Sequence, residues 1–250
     1  TNFAGSEGGR MVYGNGVWVL VDGTTTRRYL SDTGVLLHSY LDAGSSLARI
    51  RYNGSVFLGL TNSSIRKSYN GGKFESSLSS SGVIGVTFGN GRWITCNSSP
   101  GNMSYSDDDG VTWALLSTIA TLTNIPTSGK GIAYSETDSR WVVIGTSGGA
   151  YSNDNGVSWN LCTGLLSTRN TDITWGGDKW VVSNENGPYY SSDGITWGSS
   201  SSTNTTYVVF SNTTIRGLFV FTNFITCENI VPLLSLSSSN PFRYPACENG

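Results

Sequence analysis

Charge is scarce in this chain: 13% of its 250 residues are Asp, Glu, Lys or Arg, about half the share usual in soluble domains. Lysine is nearly absent, so the hydroxyls and amides of abundant Ser, Thr and Asn must keep the surface wetted. The formal net charge is −2 and the basic residues are scattered, which removes the electrostatic footprint of a surface for phosphate backbones or anionic lipid. No nucleic-acid partner is expected. No apolar run approaches the roughly 20 residues that a membrane span needs, so no span is expected either. The opening TNFAGSEGG lacks the basic and hydrophobic regions of a signal peptide. The first residue is not Met, and a processed or truncated chain is the expectation.

Histidine is limited to His38. That excludes a His-based metal cluster and makes any Ser-His-Asp triad depend on one residue. The four cysteines, Cys96, Cys162, Cys227 and Cys247, show no CxxC spacing and are too few for a disulfide scaffold. They are expected as buried small hydrophobes; if a bridge forms, Cys227 with Cys247 would pin the C-terminal tail. No Gly-rich phosphate loop precedes a helix, and no segment sustains apolar spacing at i, i+3, i+4 and i+7. Helices should be minor or absent, and neither a cofactor nor a metal is expected.

What the chain does have is a repeat. An aromatic closes a short β-like run, a polar turn follows, and a second aromatic opens an apolar run. The copies are MVYGNGVWVLV from Met11, IRYNGSVFLGL from Ile50, VTFGNGRWITC from Val86, IAYSETDSRWVVIG from Ile132, ITWGGDKWVV from Ile173 and YVVFSNTTIRGLFVF from Tyr207. The first aromatics are Tyr13, Tyr52, Phe88, Tyr134, Trp175 and Phe210. Their partners are Trp18, Phe57, Trp93, Trp141, Trp180 and Phe219. Asn-Gly turns between such runs are strong hairpin signals because tight hairpins need positive φ. A second block follows in several copies: YLSDTGVLL, YSDDDGVTW, YSNDNGVSW and YSSDGITW, beginning at Tyr29, Tyr105, Tyr151 and Tyr190. It supplies a third and a fourth strand. The period of roughly 34 to 46 residues is that of a four-stranded propeller blade.

The expected fold is therefore an all-β single domain, a β-propeller of six blades of four antiparallel strands. Seven blades, or five plus a closing partial blade, are the alternatives. Blades are expected at about 9–47, 48–84, 85–129, 130–170, 171–204 and 205–239, with 240–250 a tail or latch.

SDDDGVTW and SNDNGVSW match Ser-x-Asp-x-Gly-x-Thr/Ser-Trp, and here the chain resembles the sialidase-like, or BNR, propellers with their Asp boxes, in the degenerate form found in bacteriophage virion and bacterial secreted proteins. The physical logic of the box is local: Asp accepts backbone N–H bonds, Gly takes a conformation closed to other residues, and Trp packs between blades. Asp108, Gly110, Thr112 and Trp113 hold these roles in one copy, and Asp154, Gly156, Ser158 and Trp159 in the next. In the copy at Tyr190, an ungapped reading puts Ser192 in the Asp place and Tyr190 in the first Ser place, keeping Gly194, Thr196 and Trp197. The first copy has Asp32 and Gly34 but leucine where Trp belongs. The resemblance implies that these boxes are structural turns on the rim, away from any active site.

A sialidase needs three clustered arginines, a tyrosine paired with a glutamate, and an aspartate acid. Arg49, Arg51, Arg92, Arg140, Arg169 and Arg216 are dispersed, at unequal places in the repeat, and the glutamates show no pairing of the kind a glycosidase requires. No catalytic residue is assigned. All eight tryptophans fall at repeat positions and are expected in the core. Candidate binding residues are Tyr40, Tyr69, Tyr207, Arg140 and Arg216. The expected function is a non-catalytic virion or extracellular module, or alternatively a secreted or periplasmic one, that binds a glycan or another virion or cell-surface protein, either particle-bound or as a homo-oligomer. A sialidase-like glycoside hydrolase and a structural decoration or assembly protein of a phage particle are the alternatives.

Overall fold

Each aromatic pair that the repeat singles out lies directly opposite across a hairpin. Tyr13 faces Trp18, Tyr52 faces Phe57, Phe88 faces Trp93, Tyr134 faces Trp141 and Trp175 faces Trp180. Their ring centroids are 4.3 to 5.2 Å apart, the contact distance at which cross-strand aromatics support a hairpin. Asn15 and Gly16, and Asn90 and Gly91, turn two of these hairpins with positive φ at both residues, as a type I′ turn demands.

The computed structural model describes residues 10–22, 25–30, 35–41, 47–61, 63–79, 82–98, 103–116, 129–146, 148–165, 170–176, 178–184 and 188–199. Among these residues twenty strands form five four-stranded antiparallel sheets, each a meander in chain order, with no helix. Sheet 1 holds β1 (Arg10–Gly14), β2 (Val17–Asp22), β3 (Thr25–Leu30) and β4 (Leu36–Leu41). Sheet 2 holds β5 (Arg49–Tyr52), β6 (Phe57–Leu60), β7 (Ser64–Ser68) and β8 (Glu75–Ser79). Sheet 3 holds β9 (Val83–Gly89), β10 (Arg92–Asn97), β11 (Ser104–Ser106) and β12 (Ala114–Leu115). Sheet 4 holds β13 (Gly129–Ser135), β14 (Arg140–Gly145), β15 (Gly148–Ser152) and β16 (Asn160–Leu161). Sheet 5 holds β17 (Asn170–Trp175), β18 (Trp180–Asn184), β19 (Tyr189–Ser191) and β20 (Gly198–Ser199). Sheets 3, 4 and 5 thus begin one or two residues before the boundaries expected at 85, 130 and 171. The sixth repeat copy, from Tyr207, lies outside the described residues, as do Asp32, Gly34, Cys227 and Cys247.

The first strands β1, β5, β9, β13 and β17 pack side by side in that order, so the sheets fan outward from a shared inner edge. Between each neighbouring pair lies an apolar cluster: Val17, Val19, Val21, Ile50 and Phe57 between sheets 1 and 2; Val56, Leu58, Leu60, Val86 and Trp93 between 2 and 3; Ile94, Cys96, Ile132, Trp141 and Trp159 between 3 and 4; Val142, Ile144, Ile173, Trp180 and Trp197 between 4 and 5. A lone four-stranded sheet cannot bury both its faces, so each sheet depends on its neighbours. Gly14 and Gly89, just after the first aromatic, permit the closest approach. A Cβ on either would collide with the ring of Tyr52 or Tyr134 on the next sheet.

Candidate functional site

The connection between the third and fourth strands, the outer turn, is built alike in sheets 3, 4 and 5. In sheet 3 the Ser106 hydroxyl accepts the Gly110 N–H at 2.9 Å and donates to Asp108 at 2.8 Å. Asp108 in turn accepts the N–H groups of Val111 and Thr112 at 3.1 and 2.8 Å and the Thr112 hydroxyl at 2.5 Å. Sheet 4 repeats the pattern with Ser152, Asp154, Gly156 and Ser158. The Thr112 hydroxyl and N–H, with Ser106 and Val111, hold the Asp108 carboxyl down at about 2. Burial opposes ionisation of Asp154, yet the Ser158 hydroxyl and N–H and the Ser152 hydroxyl bring it below its ordinary value. Each carboxylate is committed to its turn, charge-assisted and saturated with donors.

Sheet 5 corrects the ungapped reading of the third motif. Ser191, not Tyr190, fills the serine place: its hydroxyl accepts the Gly194 N–H at 2.8 Å and donates to the carboxylate at 2.8 Å. That carboxylate is Asp193, not Ser192; it accepts Ile195 and Thr196 N–H at 2.8 Å each. The turn is one residue shorter because the residue before glycine, Asp109 or Asn155 in the other two, is missing. Those two residues adopt positive φ. Asn155 also accepts the buried indole N–H of Trp141 at 3.1 Å, whereas the indole nitrogens of Trp93 and Trp180 have no hydrogen-bond partner. In sheet 3 the Asp109 carboxylate instead accepts the Asn53 side-chain amide at 2.7 Å.

The outer-turn tryptophans pack on the preceding sheet. Trp113 donates its indole N–H to Ser77 Oγ of β8 at 3.0 Å, and Ser77 donates to the Gly110 carbonyl. Trp159 and Trp197 lie in the apolar clusters shared with sheets 3 and 4.

Arg92 and Arg140 occupy one place in the repeat, the first residue of the second strand, and are not at unequal places as the sequence reading had it. Arg92 grips Asp107 with Nε and Nη2 at 2.7 and 2.8 Å, stacks on Tyr105 and donates to the Asn155 carbonyl of the next sheet at 2.8 Å. Arg140 does the same with Asn153 at 2.7 Å, Tyr151 and the Asp193 carbonyl. Arg140 is a clasp between sheets, with Nε and Nη1 bonded within the scaffold. Tyr69 is exposed, with the Lys67 ammonium over its ring at 5.2 Å. Tyr40 lies on β4 at the far edge of sheet 1. Tyr207 and Arg216 lie outside the described residues. The candidate binding residues that the structure describes are therefore on separate sheets and are not brought together.

The inner edge does assemble charged groups. Arg49 Nη1 of β5 lies 3.3 Å from Asp172 Oδ1 of β17, 123 residues away. Asp172 Oδ1 also accepts the Ile173 N–H at 3.0 Å. Contact between strands three sheets apart requires the row of inner strands to curl around a common axis. Cys96 lies within reach of this field: burial pushes its thiol up to about 12, while Arg49 and Lys130 lower it and Asp172 raises it. On the strand of Asp172, buried Asn170 accepts the side-chain amide of buried Asn184 and donates its own to the Gly145 carbonyl. The sequence carries no sign of this constellation, since nothing local marks residues that only the curl of the sheet row brings together. Burial likewise raises the Cys162 thiol to about 12 and the Tyr190 phenol above its ordinary value. Among the described residues no group of three His, Cys, Asp or Glu side chains could hold a metal ion, and no helix is long and apolar enough to cross a membrane.

No family model matches the chain, and no curated protein does. Solved structures do. A chain of a nidogen/laminin complex superposes with a TM-score of 0.58 at 12% identity, covering 74% of this chain and 76% of that one. A computationally designed protein, Ika8, gives 0.55 at 13% identity over 84% and 80%. A chain of the mitotic checkpoint complex gives 0.60 at 12% identity over 76% and 62%. At such identities the likeness speaks to fold alone: the architecture is all-β and β-propeller-like.

Proposed function

We propose that the chain is a non-catalytic binding module on a six-bladed β-propeller, displayed on a virion or outside the cell, and that it recognises a glycan or a surface protein. The observation that carries this reading is the commitment of the chemically capable groups to scaffold. Asp108 and Asp154 are held through both carboxylate oxygens and Asp193 through Oδ1 by their own turns, Arg92 and Arg140 clasp adjacent blades, and the cysteine and tyrosine groups with shifted acidities are shifted away from the nucleophilic form. A glycoside hydrolase needs two carboxyls set across one bond, whereas at the inner edge Asp172 is engaged in an ion pair with Arg49. The outer turns are, on this reading, Asp boxes of the sialidase-like kind used as structural turns. Six blades are supported by the Arg49–Asp172 contact, since strands three blades apart face each other across the axis of a six-membered ring.

The place for a ligand is the inner edge around Arg49 and Asp172, where polar side chains from separate blades converge. The test is a glycan array together with whole-cell binding, run beside a fluorogenic sialoside assay. Specific binding that Arg49→Ala weakens supports the reading. Turnover of the sialoside overturns it in favour of a hydrolase. Absence of any specific ligand in both binding assays overturns it in favour of a particle decoration.

A further inference from the structure

We propose that Asn15 and Asn90 are sites of spontaneous deamidation, at which the folded chain converts asparagine to aspartate and isoaspartate with water as the co-reactant. The inference is independent of the binding reading and of the number of blades. In an Asn-Gly pair the glycine amide nitrogen attacks the asparagine Cγ. A bond forms between these atoms, the Cγ–Nδ2 bond breaks, and ammonia leaves with the proton that the glycine nitrogen gives up. Water then opens the resulting succinimide at either carbonyl. One opening yields aspartate, and the other yields isoaspartate, whose β-carbon has entered the main chain. The step changes no oxidation state. Glycine favours it because no side chain shields the attacking nitrogen.

Among the described residues Asn-Gly pairs begin at Asn15, Asn53, Asn70, Asn90 and Asn155, and the fold treats them unequally. Asn53 Oδ1 accepts the N–H groups of Ser55 and Val56 at 3.0 and 2.9 Å, and its amide donates to Asp109 at 2.7 Å. Asn70 Oδ1 accepts the Gly72 N–H at 2.9 Å and the Ser68 hydroxyl at 3.2 Å. Asn155 Oδ1 accepts the Trp141 indole N–H, and the nitrogen that would attack it, that of Gly156, is buried and donates to Ser152 Oγ at 2.9 Å. Each of these amides must break its bonds before the ring can close. Asn15 and Asn90 are under no such restraint. Gly14 pairs with Val17 and Gly89 with Arg92, so Gly16 and Gly91 lie outside the ladder, at the hairpin tips. Both asparagines and both glycines are exposed. Neither asparagine side chain has a hydrogen-bond partner among the described residues, and nothing lies within 4 Å of where a Cβ on Gly16 or Gly91 would stand. The Asn90 site also lies at a junction, since its carbonyl accepts the Asn155 amide at 3.5 Å and Arg92 reaches across to sheet 4. Isoaspartate lengthens a loop whose length sets the hairpin register, so conversion there loosens the contact between sheets 3 and 4.

The experiment ages the unaltered full chain in mildly alkaline heavy-oxygen water, once in buffer and once in concentrated urea, and maps tryptic peptides by mass. Trypsin cuts after Lys and Arg, so the pairs fall on separate peptides, 11–27, 52–66, 68–73, 74–92 and 141–169. Digestion in ordinary water lets the incorporated heavy oxygen mark conversion during ageing. In buffer Asn15 and Asn90 should convert at least about tenfold faster than Asn53, Asn70 and Asn155, whose amides must first be released. In urea the rates should draw together. Equal rates in buffer overturn the proposal. So does an excess at Asn15 and Asn90 that persists in urea, because sequence and not fold would then set it. Chain enriched in isoaspartate at position 90 should unfold at lower urea than fresh chain, and an equal midpoint overturns the loosening of the sheet 3 to sheet 4 contact.

Discussion

The indole N–H of Trp141 donates to Asn155 Oδ1 at 3.1 Å, and Asn155 is the residue that the outer turn of the fifth sheet lacks. Trp180 holds the place of Trp141 there, fully buried and without an acceptor. Asn155→Gly keeps the positive φ of this position and removes the acceptor. It should destabilise the fold by about 1–3 kcal/mol, the cost of orphaning a buried donor, read as a lower urea midpoint. Inserting Asn between Asp193 and Gly194 should raise that midpoint by supplying Trp180 with the missing partner.

The two arginine clasps should respond differently to salt. Arg92 closes on the Asp107 carboxylate, and Arg140 on the neutral Asn153. Arg92→Ala is expected to cost about 1 kcal/mol at low ionic strength, since Asp107 is exposed. That cost should shrink in about 1 M salt, where charges are screened within a few ångströms. The penalty of Arg140→Ala should stay nearly constant over the same range. Thermal melts of both variants at two salt concentrations check this.

Acid should attack the outer turns. The folded Asp108 carboxyl sits at about 2 against an ordinary 3.8, so the stability it contributes is present above the ordinary value and is lost as pH falls through about 2. Asp108→Asn should flatten the acid limb of the stability curve in that window and change its slope little at neutral pH. Urea midpoints of the two proteins across the window measure the difference.

Gly89→Ala places a methyl group into the ring of Tyr134 on the adjacent sheet. Overpacking of this kind costs about 1–3 kcal/mol, visible as a lower melting temperature. Combining it with Tyr134→Leu should return part of the loss, because the two side chains would then no longer compete for one space.

The hairpins were legible because Asn-Gly turns and paired aromatics are short-range signals, and the register joins the aromatics that the sequence pairs. The third outer turn was misread because an ungapped comparison cannot see one missing residue. Its hydrogen bonds can, since Ser191 and Asp193 keep their partners whatever the loop length. Arg140 looked like a ligand contact because its neighbours across the sheet boundary are remote in sequence. The Arg-Trp pairs at Arg92 and Arg140 were the available sign of a shared role. Arg49 and Asp172 had no such sign.

That ion pair has a kinetic consequence. Loop-closure entropy must be met before contacts between distant residues reward it, and 123 residues separate Arg49 from Asp172. Two whole sheets must be in position before the guanidinium can find its carboxylate, so the pair forms after the transition state for assembling those sheets. Removing it should leave the refolding rate nearly untouched and accelerate unfolding. The charges that meet at the inner edge thus act as a catch that holds the curl of the assembled sheets in place.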